Sequence, residues 1–116
     1  MRNVEHERAK YAFECVNMVK NTPGAKRYKS LARSSGPLIL KSGLVQALIF
    51  YLSKGDEIFV KDILKKCDSQ FNDSMNAGQI AEKLTTLNQD EIMRITQEAL
   101  QIIKWIKRFA EIILEE

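Results

Sequence analysis

The side chains able to do covalent or metal chemistry in this sequence are few and widely spaced. Cys15 and Cys67 are its two cysteines and His6 its one histidine. No CxxC occurs, and a zinc site built on cysteine and histidine alone needs four ligands where three candidates exist. Both cysteines fall on apolar helix faces and read as reduced core residues. His6, between Glu5 and Glu7 near the N-terminus, reads as a solvated histidine rather than a general base. Asp68, Asp73 and their neighbours lack the spacing of an EF-hand loop. The Glu115-Glu116 pair is terminal and expected to be exposed. No G-x-S-x-G, H-E-x-x-H, P-loop or dinucleotide glycine pattern occurs. No catalytic residue, metal or cofactor is therefore expected.

The chemistry with a pattern is cationic. Lys26, Lys29 and Arg33 fall on one side of a helix, with Lys41 nearby if the helix continues. Tyr28, Leu31, Ala32 and Ile39 fall on the other side. Such a face either solvates an exposed helix, as long charged side chains usually do, or holds an anionic partner. The net charge is only +3, but it is unevenly spread. Residues 1–54 hold 10 Lys and Arg against 3 Asp and Glu, a balance of +7; residues 55–116 hold 8 against 12, a balance of −4. That asymmetry fits an anionic partner for the first half, or a head-to-tail contact with a sister subunit.

The elements that must position these groups are helical throughout. At 116 residues and 45% apolar composition, the chain predicts one domain over residues 1–116 with one core. No signal-peptide pattern opens it and no run of about 20 apolar residues follows, so the expected location is cytoplasmic, with no membrane partner. Ala9, Ala12, Val16 and Val19 line one face of a first helix over residues 4–20. Asn21-Thr22-Pro23-Gly24 is a breaker and turn. The basic helix covers residues 26–41, and Gly36-Pro37 predicts a kink or a restart within it.

Residues 44–52, LVQALIFYL, are apolar around nearly the whole helical circumference, apart from a narrow polar strip at Gln46 and Ser53. This pattern predicts a central helix over about residues 43–54, with Ser42 as N-cap and Gly55 as the stop. Ile58, Phe59, Ile63, Leu64 and Cys67 recur at helical spacing through residues 56–71. Residues 72–78 read as a polar loop and 79–87 as a short helix. Asn88-Gln89-Asp90-Glu91 resembles a capping box opening the longest helix, over about residues 89–115. Its apolar arc is Ile92, Ile95, Ala99, Ile102, Ile103, Ile106, Ala110 and Ile113. The expected fold is all-α: a compact five- or six-helix bundle around the central apolar helix.

Trp105, Phe109 and Ile112 stand off that arc as a second apolar stripe, flanked by Arg108. Either neighbouring helices wrap the long helix widely, or the stripe docks another protein.

At RAKYAFECV, RYKSLARSSGPLILKSGLVQALIFYL and QDEIMRITQEALQIIKWIKRFAEIILEE the chain resembles the small subunit of the Cmr complex, the type III-B CRISPR effector. Its most specific motifs are Tyr28-Lys29-Ser30-Leu31-Ala32, Gly43-Leu44 followed by Gln46-Ala47-Leu48, and Ala99-Leu100 leading to Trp105 and Lys107-Arg108-Phe109-Ala110. Val45 departs from the small residue more usual there, and residues 56–87 match poorly. The resemblance implies a small all-helical protein without catalytic activity. It implies several copies stacked head to tail against the backbone subunits that hold the guide RNA, with a basic surface lining the guide–target channel. RNA cleavage would belong to a backbone subunit.

Phosphate contacts are then expected at Lys20, Lys26, Arg27, Lys29, Arg33 and Lys41, and protein contacts at Trp105, Phe109, Ile112, Lys107 and Arg108. Such a channel must accept any sequence, which calls for phosphate rather than base-edge contacts. The competing expectations are a helical protein–protein adaptor that never touches nucleic acid and the small subunit of a type III-A effector.

Overall fold

The computed structural model describes residues 3–114; Glu115 and Glu116, which carry the terminal acid pair and the expected end of the last helix, lie outside the described residues. Among the described residues there are six helices and no strand: α1 (Val4–Val19), α2 (Ala25–Ser42), α3 (Leu44–Ser53), α4 (Glu57–Cys67), α5 (Ala77–Thr85) and α6 (Gln89–Ile113). None of them is long and apolar enough to cross a membrane.

Local chemistry accounts for most of the boundaries. The Asn3 side chain caps α1 by accepting from the His6 backbone N–H at 3.0 Å, and Glu5 and Glu7 in the first turn suit the positive end of the helix dipole. α2 runs on through Gly36-Pro37 instead of restarting there. The proline supplies no N–H, so the Arg33 carbonyl loses its usual donor four residues on. The break falls later, at Gly43, whose φ of 88° suits glycine and penalises any residue with a Cβ. Gly43, not Ser42, is therefore the N-cap of α3, without a side-chain hydrogen bond. α3 ends in a Schellman motif: the Asp56 N–H donates to the Tyr51 carbonyl at 3.0 Å and the Gly55 N–H to that of Leu52 at 3.1 Å. Gly55 takes the expected left-handed turn, φ 85°.

α4 stops four residues earlier than its apolar spacing suggests. Asp68 leaves the helix in extended conformation, yet Phe71 beyond it is still buried. α5 starts two residues earlier than expected because Asn76 and Gln79 form a reciprocal capping box, each bond 2.8 Å. α6 opens with the anticipated box: the Asn88 N–H donates to Glu91 Oε1 at 3.0 Å, and the Glu91 N–H to Asn88 Oδ1 at 2.8 Å.

The chain divides into two compact units: residues 1–36 with 100–116, and residues 37–99. In the first unit, Ala12, Val16, Leu31, Ala32, Ile102, Ile106 and Ala110 are fully or nearly fully buried, as their helical spacing requires. In the second, α3 contacts α4 and α5, and the Tyr51 and Phe59 rings meet edge to face at 6.1 Å. α3 buries Leu44, Ala47, Leu48 and Tyr51, whereas Phe50 stays 48% exposed with the Lys54 ammonium 5.5 Å from its ring centroid. Its apolar circumference is thus wrapped on one side rather than all round.

Candidate nucleic-acid interface

The first unit carries the positive charge. By sequence it holds 11 Lys and Arg against 6 Asp and Glu, a balance of +5; the second holds 7 against 9, a balance of −2. Three of these cations, Lys20, Lys26 and Arg27, stand at the corner where α1 turns into α2. Lys20 ends α1, and Asn21 takes φ 65°, a left-handed value that asparagine tolerates. The Thr22 hydroxyl donates to the Val19 carbonyl at 2.6 Å, and the Tyr28 N–H closes the first turn of α2 on Gly24 at 2.9 Å.

That first turn contains no acid but does contain Lys26 and Arg27, both exposed. Cations at the positive end of a helix cost about 0.3–1 kcal/mol each. The helix dipole works against this placement, whereas an approaching anion gains twice, from the side chains and from the dipole. Beside it lies a shallow depression of about 230 Å³ lined by Lys20, Asn21, Ala25, Ile113 and Leu114.

The other expected phosphate contacts do not all join this corner. Lys29 is only 7% exposed, and its ammonium donates to the Leu114 carbonyl at 3.1 Å. This corrects its assignment to the exposed cationic face. A helix leaves its last carbonyls without backbone donors, and α6 has no basic residue in its own last turn, so Lys29 of α2 supplies the cation. Arg33, one turn further along α2, is half exposed with Nε 3.9 Å from Glu111 Oε1 on α6. Lys41 is exposed but belongs to the second unit.

The second stripe splits in the same way. The Trp105 Nε1–H donates to Glu5 Oε2 at 3.1 Å, and Arg8 holds the other carboxylate oxygen at 2.6 Å. Those two bonds, that of Arg8 foremost, keep the Glu5 carboxyl below its ordinary range. The Trp105 ring stacks on Phe109 with centroids 5.9 Å apart, and the Arg108 guanidinium lies 5.9 Å from the Trp105 ring centroid. Phe109 in turn meets Phe13 of α1 edge to face at 5.5 Å. α1 thus covers Trp105 and Phe109 in part, and Ile112 remains 78% exposed. Lys107 and Arg108 are exposed beside it. Sequence spacing gives Phe13 and Glu5 no role here and pairs Glu111 only with Lys107; Phe13 stands inside the RAKYAFECV segment, but only the folded contact gives it a role.

Both cysteines are shielded from solvent. Cys15 and Cys67 are buried and form no disulfide. Burial pushes the Cys67 thiol up to about 12, and its S–H points to the Ile95 carbonyl at 3.8 Å, so it keeps its proton at neutral pH. Among the described residues no group of three His, Cys, Asp or Glu converges to hold a metal ion.

The sequence model of the CRISPR-associated protein family Cas_Cmr5 matches residues 4–113. The CRISPR system Cmr subunit Cmr5 of Thermus thermophilus is 29% identical over 116 residues, covering 100% of both chains. The crystal structure of a CRISPR-associated Cmr5 family protein from Thermus thermophilus superimposes with a TM-score of 0.81 at 26% identity. That similarity covers 98% of this chain and 100% of the other.

Proposed function

The chain belongs to the Cmr5 family of CRISPR-associated proteins, and from that premise we propose that it is a structural, non-catalytic subunit of a type III-B Cmr effector. Its first unit presents fixed positive charge to the phosphates of guide and target RNA. The observation that carries this reading is the acid-free first turn of α2, where Lys26 and Arg27 stand exposed against the helix dipole beside Lys20. Cations held on a rigid helix end suit phosphate contacts that ignore sequence. Arg33 extends the face along α2, and Lys41 is a further candidate on the second unit. Lys29 serves the face indirectly, by fixing the end of α6. Several copies stacked head to tail would multiply weak contacts through avidity, and the opposite balances of the two units suit a repeating, non-closing contact.

The exposed Ile112 edge, with Lys107, Arg108 and the partly buried Trp105 and Phe109, is the proposed contact with other Cmr subunits or the next copy. It also favours the second reading, an adaptor that meets only proteins. Crosslinking in the assembled effector separates the two. The first reading expects RNA crosslinks at the Lys20, Lys26 and Arg27 corner; their absence, with protein crosslinks retained at Ile112, would leave the adaptor.

A further inference from the structure

We propose that Glu111 is a built-in competitor for the anion that Arg33 would otherwise hold, so that the first unit binds phosphate more weakly than its cations allow. The inference rests on the phosphate-binding reading of that unit. Glu111 places an exposed carboxylate on α6 with Oε1 3.9 Å from Arg33 Nε, and the two side chains are 47% and 48% exposed. At that separation and exposure an ion pair adds little to stability, so the fold has little need of an acid there.

Its position is nevertheless fixed. The buried Lys29 ammonium holds the Leu114 carbonyl at 3.1 Å. Lys29 lies one turn before Arg33 on α2, and Leu114 three residues after Glu111 on α6. The clip thus sets the register that brings carboxylate and guanidinium together. Lys107 precedes Glu111 by one helical turn on the same helix. A phosphate approaching Arg33 therefore meets a like charge within a few ångströms and must displace it. Each copy then grips lightly, and a stack can hold a strand by number and still release it.

The test is a binding cycle on the full chain with a labelled single-stranded oligouridylate at low salt. It compares the parent, Glu111→Gln, Arg33→Ala and the double variant. Glu111→Gln is expected to tighten binding about two- to fivefold without changing the melting temperature, and the gain should largely vanish in the Arg33→Ala background. No gain, or an equal gain in both backgrounds, overturns the proposal, the latter because it would reflect net charge alone. The double reversal Lys26→Glu with Arg27→Glu separates this from the parent reading. If reversal weakens binding and Glu111→Gln leaves it unchanged, only the competitor role falls. If reversal itself changes nothing, the phosphate reading falls and the competitor role with it.

Discussion

Lys29 and Leu114 meet in the first unit through a bond from a buried ammonium to a carbonyl at the end of α6, 3.1 Å long and 85 residues apart in sequence. With Arg33 and Glu111 beside it, this contact aligns α2 antiparallel to the last part of α6. Truncating the donor leaves a buried acceptor without its partner, which costs about 1–3 kcal/mol. Lys29→Ala should therefore lower the urea midpoint clearly, whereas Lys26→Ala, at an exposed position, should stay within about 0.5 kcal/mol of the parent. Equal effects of the two substitutions would return Lys29 to the solvent-facing set.

Trp105 and Ile112 share a stripe but not a fate. Trp105 is tied to Glu5 and Phe109, so Trp105→Ala should destabilise the chain by roughly 1–3 kcal/mol in chemical denaturation, below the cost of a fully buried ring. Ile112 is 78% exposed. Ile112→Asp should leave the melting temperature nearly unchanged while reducing copurification with other effector subunits. Undiminished copurification would take Ile112 out of the proposed interface.

Gly43 offers a test of backbone alone. A Cβ built there meets nothing within 4 Å, yet φ is 88°. With ψ 158° this is a backbone region essentially confined to glycine, so the whole cost of Gly43→Ala is conformational, about 1–3 kcal/mol, read as a shift in the denaturation midpoint. Gly36→Ala, inside α2 with equally open space and no positive φ, should be neutral or stabilising by up to about 1 kcal/mol.

Asp68 makes the acid limb of stability testable. The Gln70 backbone N–H first, then Arg94 at 2.7 Å, hold its carboxyl below the ordinary value of 3.8. A depressed folded-state pKa contributes stability that is present above the unfolded value and lost as pH falls through the folded one. The parent should lose stability below about pH 4 more steeply than Asp68→Asn, with the two curves converging at lower pH. Parallel curves across that range would remove Asp68 from the acid response.

Much of this was legible in the sequence. Apolar spacing marked the buried faces of α1 and α6, and Asn88 with Glu91 announced the start of α6. The end of α4 was not legible, because Phe71 continues the apolar spacing although it is buried from outside the helix. The start of α5 was missed although Asn76 and Gln79 have the spacing of a cap, since the surrounding residues read as loop. At the candidate site, spacing put Lys29 among the cations but could not say where a four-carbon stem would carry its ammonium. Nor could it show that α1 would bring Phe13 and Glu5 over the second stripe, because residues a hundred positions apart meet only in the folded chain.

The central claim is that the cationic corner of the first unit holds phosphate without regard to base. The most direct measurement is the affinity of the isolated chain for single-stranded RNA across a salt series, compared with Lys20→Glu, Lys26→Glu and Arg27→Glu combined. The predicted result is weak binding that does not distinguish oligouridylate from oligocytidylate. Its log–log salt slope should shrink by roughly 0.7 for each phosphate that the triple variant no longer neutralises. An affinity and a slope that the triple reversal leaves unchanged would contradict the claim.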